Sequence, residues 1–223
     1  MAKKVLVTGA TGGLGFSLCK KLLRLGWDVY GVGRNSEKLD DLKVMGVKVI
    51  KADLLENDSL KTIFSAVPEV DCLINNAGLF PIKNLEESDT SDYDKTFEVN
   101  VRKPFQLMSH YIPKMKKRKR GDVINVLSSS AFNGSPDTAL YCASKHALLG
   151  LTRSAFLENR GTGVNVFSVS PGSMMTEMGA TDKRQDFTTF IDPEEVANFI
   201  CFALASGDSV VYDEVRLNRT VIR

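Results

Sequence analysis

The sequence is poor in the residues that build metal sites and covalent scaffolds. It has two histidines and four cysteines in 223 residues, and Cys19, Cys72, Cys142 and Cys201 are scattered, with no CxxC and no Cys/His pairing. That scatter disfavours a zinc site or a disulfide framework and reads as reduced, mostly buried thiols, with no metal expected. Neither sign of charge is in excess: 29 basic residues face 27 acidic ones, a formal +2. No global field therefore argues for nucleic acid or an anionic membrane as partner. No apolar run is long enough to span a bilayer, and Met1 to Lys4 lead into a strand-like stretch without the regions of a signal peptide, so a cytoplasmic location is expected. Repeats, Pro/Ser-rich linkers and low-complexity segments are missing as well. One domain over residues 1–223 is the expectation.

What is present is alternation. Short β-branched runs at Lys4 to Thr8, Asp28 to Gly33, Val47 to Asp53, Val70 to Asn75, Asp122 to Leu127 and Val164 to Val169 read as strands buried on both faces. Helical patterns separate them. Leu14, Leu18, Leu22 and Leu25 fall on one face, and Ser36 before Glu37 and Asp192 before Pro193 carry cap chemistry. Strands alternating with helices imply right-handed crossovers, so the expected fold is α/β: a doubly wound parallel sheet of the Rossmann type, in three α/β/α layers. The basic run Lys116-Lys117-Arg118-Lys119-Arg120 follows a helical pattern ending near Met115. There, cations complement the carbonyl end of the helix dipole and stay solvated, which makes a nucleic-acid surface the weaker reading.

Thr8-Gly9-Ala10-Thr11-Gly12-Gly13-Leu14-Gly15 follows the first strand and opens the first helix, where a dinucleotide pyrophosphate binds in such sheets. Without Cβ atoms the turn adopts positive φ and its amides approach phosphate closely. After the second strand stands Gly33-Arg34-Asn35, with no carboxylate for the ribose hydroxyls of NAD(H). Arg34 suits the 2′-phosphate of NADP(H), which is the cofactor expected over NAD(H); the alternative is a surface arginine paired with Glu37. Asp53 either accepts from the adenine amine or caps the following turn.

Ser128 ends a strand, and Tyr141 and Lys145 lie four apart on a predicted helix, which puts the pair on one helical face. Reducing a carbonyl leaves an alkoxide that must be protonated, so a positioned acid is required. A tyrosine titrating at about 10 is a poor acid-base group near neutrality, and an adjacent ammonium lowers it. Lys145 is placed for that task, and the Ser128 hydroxyl for stabilising the developing charge.

At this point the chain resembles the short-chain dehydrogenase/reductase family in its compact branch. The residues are the glycine turn, Asn75-Asn76-Ala77-Gly78, Asn100 in Asn-Val-Arg-Lys-Pro-Phe, Ser128, Tyr141-Cys142-Ala143-Ser144-Lys145, and Pro171-Gly172 with Thr176. The glycine spacing also fits the extended branch of epimerases and dehydratases, but too little chain follows Lys145 for a separate substrate domain. The resemblance implies a catalytic set of Asn100, Ser128, Tyr141 and Lys145, with Ser128 and Tyr141 also holding substrate. Asn100 would hold a water linking Lys145 to solvent; otherwise it is a kink residue before Pro104. The implied nucleotide set is Gly9, Thr11, Gly12, Gly13, Leu14, Gly15, Arg34, Asp53, Leu54, Asn76, Ala77, Gly78, Tyr141, Lys145, Pro171, Gly172, Met174 and Thr176. Thr176 would bond the nicotinamide carboxamide, and Lys145 the nicotinamide ribose.

The implied function is NADP(H)-dependent hydride transfer between nicotinamide and a carbonyl or alcohol, of ketone or 3-oxoacyl type, in a homodimer or homotetramer. A cofactor-binding sensor without turnover is the rival reading, and RNA association through Lys116 a weaker one. Two stretches depart from the family pattern. The lid between Thr176 and Asp192 is short and polar, with Met174, Met175 and Met178 at its start, and the C-terminus reads Val-Tyr-Asp-Glu-Val-Arg-Leu-Asn-Arg in place of Asp-Gly-Gly.

Overall fold

Val5, Leu6 and Val7 of the first strand are all fully buried, yet they serve two different cores. Val5 and Val7 pack with Leu14, Leu18 and Leu22 on one side, while Leu6 packs with Ile63, Leu107 and Tyr111 on the other. This is the burial a strand acquires when helices cover both faces of its sheet. In the computed structural model, which describes residues 2–206 and 210–220, seven parallel strands run in the order β3-β2-β1-β4-β5-β6-β7. They are β1 (Lys4–Thr8), β2 (Asp28–Gly33), β3 (Lys48–Lys51), β4 (Cys72–Asn75), β5 (Gly121–Val126), β6 (Val164–Pro171) and β7 (Glu214–Leu217). The order reverses between β1 and β4, which opens a crevice beyond their carboxyl ends.

The helices are α1 (Gly13–Arg24), α2 (Ser36–Val44), α3 (Ser59–Ala66), α4 (Thr90–Phe97), α5 (Lys103–Arg118), α6 (Ala139–Asn159) and α7 (Pro193–Ala205). The expected doubly wound sheet is what forms, with several boundaries moved. The third strand stops at Lys51 and does not reach Asp53, and the fourth starts at Cys72, two residues after Val70. The first helix ends at Arg24 because Gly26 turns the chain at φ +79°, which leaves Leu25 57% exposed and off the buried stripe. Asn35, not Ser36, caps α2 and accepts from the Lys38 amide at 3.0 Å, whereas Asp192 does cap α7. Helix α5 continues past Met115 to Arg118.

Two features escaped the sequence pattern altogether. Strand β7 extends the sheet beside β6, with Ser168 opposite Glu214 and Pro171 opposite Leu217. The basic run is only partly solvated: Arg118 pairs with Glu69 at 2.9 Å and donates to the Val70 carbonyl, and Arg120 pairs with Asp71 at 3.1 Å. Those contacts pin the end of α5 to the approach to β4. Among the described residues no helix is long and apolar enough to cross a membrane.

Candidate active site

The glycine turn at the head of α1 is built by close approach. Gly9 sits at φ +66°, and a Cβ there would stand 2.8 Å from the Ala77 Cα; a Cβ on Gly15 would collide with the Gly9 carbonyl oxygen. Asn76 fastens the turn to the end of β4, donating from Nδ2 to the oxygens of Thr8 and Gly9 at 2.9 and 3.1 Å, while its amide donates to the Thr8 hydroxyl. Asn76 and Ala77 therefore support the turn directly. Helix α1 starts without a side-chain cap and with no acid in its first turn, so its positive end is unneutralised. A dinucleotide pyrophosphate fits that end, and the residues present suit the group.

Around this turn, Arg34 pairs with Asp53, Nη1 to Oδ2 at 3.3 Å, and not with Glu37. The Arg34 side chain remains 60% exposed. The other Asp53 oxygen accepts from the Leu55 amide at 3.0 Å, so Asp53 caps the turn that carries Leu54. Thr176 packs on Gly13, its Cγ2 2.6 Å from where a Cβ would lie, and its hydroxyl accepts from the Gly179 amide. Gly172 donates to the Leu217 oxygen at 2.7 Å, which ties the end of β6 to β7. Lys38 of α2 reaches Glu177 beside Thr176, at 2.5 Å.

The proton-transfer candidates gather at the other end. Between α4 and α5 the helix widens into a π-turn, Glu98–Arg102, with Asn100 buried at its centre. The side chain of Asn100 receives the Leu79 amide at 2.8 Å and donates to the Leu79 carbonyl and the Ser144 hydroxyl. Ser144 in turn donates to the Tyr141 carbonyl at 2.7 Å. This chain of bonds locks α6 against the π-turn. Pro104 follows that turn closely, where helix α5 continues from it without a break and the proline supplies no N–H to the preceding turn.

Tyr141 is nearly buried, with the Phe80 ring set edge-on against it at 4.6 Å between centroids. Burial pushes its phenol up to about 12, and the neighbouring Ser128 hydroxyl works in the opposite direction. Lys145 Nζ donates to the Val126 carbonyl at 3.0 Å and stands 5.6 Å from the Tyr141 ring centroid. Burial pulls this ammonium down to about 8. The expectation that Lys145 lowers the phenol is thus not met in this geometry, because loss of water dominates both groups. A methyl on Gly78 would stand 3.4 Å from Asn100 Oδ1 and 3.8 Å from Lys145 Nζ, so the space beside Gly78 adjoins both.

Tyr141 and Ser128 open onto a cavity of about 580 Å³, bounded also by Thr176, Met174 and Met178 of the lid. Met174 packs against the core as well, while Met175 lies outside the cavity and is 39% exposed, so the three methionines divide between packing and lining. Sequence reasoning missed Phe80, Arg184, Gln185 and Arg219, which line the same space. Only the atypical C-terminus hinted at Arg219. The two histidines stay outside: His146 Nδ1 contacts the Cys142 carbonyl within α6, and His110 stacks on Phe64. All four cysteines are buried and free.

A family model described as short chain dehydrogenase matches residues 3–186. The chain belongs to the short-chain dehydrogenase family. A curated relative, the 3-oxoacyl-[acyl-carrier-protein] reductase of Rickettsia felis, is 31% identical, over 94% of this chain and 92% of that one. A solved short chain dehydrogenase/reductase family protein shares 30% identity with a TM-score of 0.88, covering 97% of this chain and 95% of the other. A solved 4-hydroxyisoleucine dehydrogenase complexed with NADH shares 26% identity with a TM-score of 0.88, covering 97% of each chain. As a member of this oxidoreductase family, the protein uses a nicotinamide dinucleotide on a small molecule carrying an alcohol or ketone. Thr176 packs on the glycine turn and also bounds the cavity that holds Tyr141, so the two regions adjoin.

Proposed function

We propose that this short-chain dehydrogenase is an NADP(H)-dependent oxidoreductase that interconverts a carbonyl and an alcohol, of ketone or 3-oxoacyl type, with Tyr141 as general acid or base. The observation that carries the reading is the meeting of the Tyr141 phenol and the Ser128 hydroxyl in one cavity, backed by buried Lys145 and bounded by Thr176, which also packs on the glycine turn. When bound, the dinucleotide supplies or accepts the hydride.

In the reducing direction Tyr141 gives its proton to the substrate oxygen as negative charge develops there, and Ser128 donates a hydrogen bond to the same oxygen. The buried phenol is a weak acid on its own, so the step needs a nearby positive charge when phenolate forms. The Lys145 ammonium supplies it at low local dielectric. Lys145 would also hold the nicotinamide ribose. Its proton is replaced through water in the space beside Gly78, where Asn100 Oδ1 and Lys145 Nζ are both within reach. Thr176 would hold the carboxamide. At the adenosine end Arg34 would hold a 2′-phosphate, the basis of the proposed preference for NADP(H).

The similarity to a 3-oxoacyl-[acyl-carrier-protein] reductase supports the carbonyl class. Exposed Phe105 on α5 and Leu157 on α6 support a homodimer through these two helices, and a monomer in sedimentation at micromolar concentration would contradict it. The reading as a whole is tested by following NADPH oxidation across a panel of ketones, quinones and 3-oxoacyl thioesters. It fails if no carbonyl is turned over.

A further inference from the structure

Two arginines line the wall of the cavity, and their surroundings differ. Arg184 is enclosed by carboxylates: Nε and Nη2 donate to Asp182 at 2.8 and 3.0 Å, and Nη1 donates to Asp137 at 3.0 Å. Its charge is answered within the chain. Arg219 is held by neutral acceptors only, the Thr189 hydroxyl at 3.1 Å and the Gln185 side-chain oxygen at 2.8 Å, with the Phe190 ring 5.1 Å from the guanidinium carbon. Among the described residues no carboxylate lies within ion-pair distance of Arg219. The Gln185 side chain is neutral and is fixed in orientation, its amide nitrogen donating to Asp182 at 2.7 Å and its oxygen also accepting from Ser173 at 3.0 Å.

A guanidinium has five N–H donors in a planar fork, and here two are fixed by neighbours. The rest of the fork is oriented but unspent, half-buried on the cavity wall. Holding a cation partly out of water costs free energy, and fixing its plane with two hydrogen bonds and an aromatic shelf prepares it for a carboxylate. The placement depends on β7: the strand carries the chain back beside Gly172, and the Arg219 stem passes 3.8 Å from the position of a Gly172 Cβ.

We propose that Arg219 binds a carboxylate on the substrate, so that the molecule reduced or formed is an oxo acid or its hydroxy acid, with the carbonyl at Tyr141 and Ser128. The assignment rests on the carbonyl-reduction reading above and narrows it. A monoanion suits the wall better than a phosphate dianion, since Asp137 and Asp182 lie on the same surface.

The test compares 3-oxobutanoate, 4-oxopentanoate and 5-oxohexanoate with their methyl esters, alongside 3-oxobutanoyl thioester and dihydroxyacetone phosphate, using the wild-type holoenzyme. At least one acid should exceed its ester in kcat/KM by roughly 10- to 100-fold, the worth of a hydrogen-bonded charge pair. Arg219→Gln should remove that preference through KM while leaving the esters and dinucleotide binding unchanged, and Arg219→Lys should restore part of it. Without turnover, calorimetric titration of the cofactor-loaded protein should detect pentanoate but not pentanamide, and lose pentanoate on Arg219→Gln. Equal use of acids and esters, better use of the thioester or the phosphate, or a loss shared by acid and ester in Arg219→Gln would each overturn the proposal; the last would make Arg219 a support of the lid. In those cases carbonyl reduction stands. If nothing in the panel is reduced, that wider reading falls and this one with it.

Discussion

Lys145 donates from Nζ to the Val126 carbonyl oxygen at 3.0 Å, which holds a buried ammonium at the end of β5, 5.6 Å from the Tyr141 ring centroid. One hydrogen bond is thin compensation for a charge taken out of water. The site therefore stores instability in the group proposed to support proton transfer.

That instability has a sign. The folded-state value of Lys145, about 8, lies below its ordinary 10.5, so folding disfavours the ammonium; the penalty is fully present below about 8 and fades as pH rises toward 10.5. Lys145→Met should raise stability at pH 7 by about 1–3 kcal/mol while lowering carbonyl reduction by roughly 100-fold or more. Thermal melts at pH 7 and pH 10 check it, with the advantage of the mutant shrinking at the higher pH. In the wild type, reduction should decline above about pH 8 as Lys145 loses its proton, while Tyr141, near 12, stays protonated. A mutant less stable than wild type at pH 7 would contradict the assignment.

Gly78→Ala is a narrow probe of the route to solvent. The new methyl meets Asn100 Oδ1 and Lys145 Nζ at ordinary contact distances, so the fold should tolerate it. Displacing a bridging water there should lower kcat by about 10-fold with the melting temperature nearly unchanged. Solvent isotope effects on kcat separate the cases, and an unchanged kcat and isotope effect would remove the relay from this space.

Arg34→Ala should weaken NADPH binding by roughly 10-fold, the loss of a charge-assisted contact, and leave NADH within about twofold. Fluorescence titration of both cofactors measures this. The preference is wrong if wild type binds NADH more tightly.

The fold was legible where burial on both faces forces β-branched runs, as in Val5 to Val7 and Val164 to Val169. Strand β7 was not, because Glu214 to Leu217 lies at the sheet edge and alternates charge with partly exposed apolar residues, and it takes its place only by pairing with β6. The shared face of the candidates Tyr141 and Lys145 was readable from spacing, since four residues of helix fix it whatever the surroundings. Their electrostatics were not, because the upward shift of Tyr141 and the downward shift of Lys145 come from packing by residues such as Phe80 that no local pattern announces. Arg219 was hidden for the same reason as β7: its position depends on a strand pairing formed late in the chain.

The measurement that bears most directly on the account is NADPH oxidation by wild type and Tyr141→Phe on the best carbonyl of the panel, with dinucleotide affinity determined for both. The account predicts a fall in kcat of roughly 100- to 10,000-fold with cofactor binding retained, the usual worth of a positioned general acid. A mutant that reduces the carbonyl at the wild-type rate would contradict it.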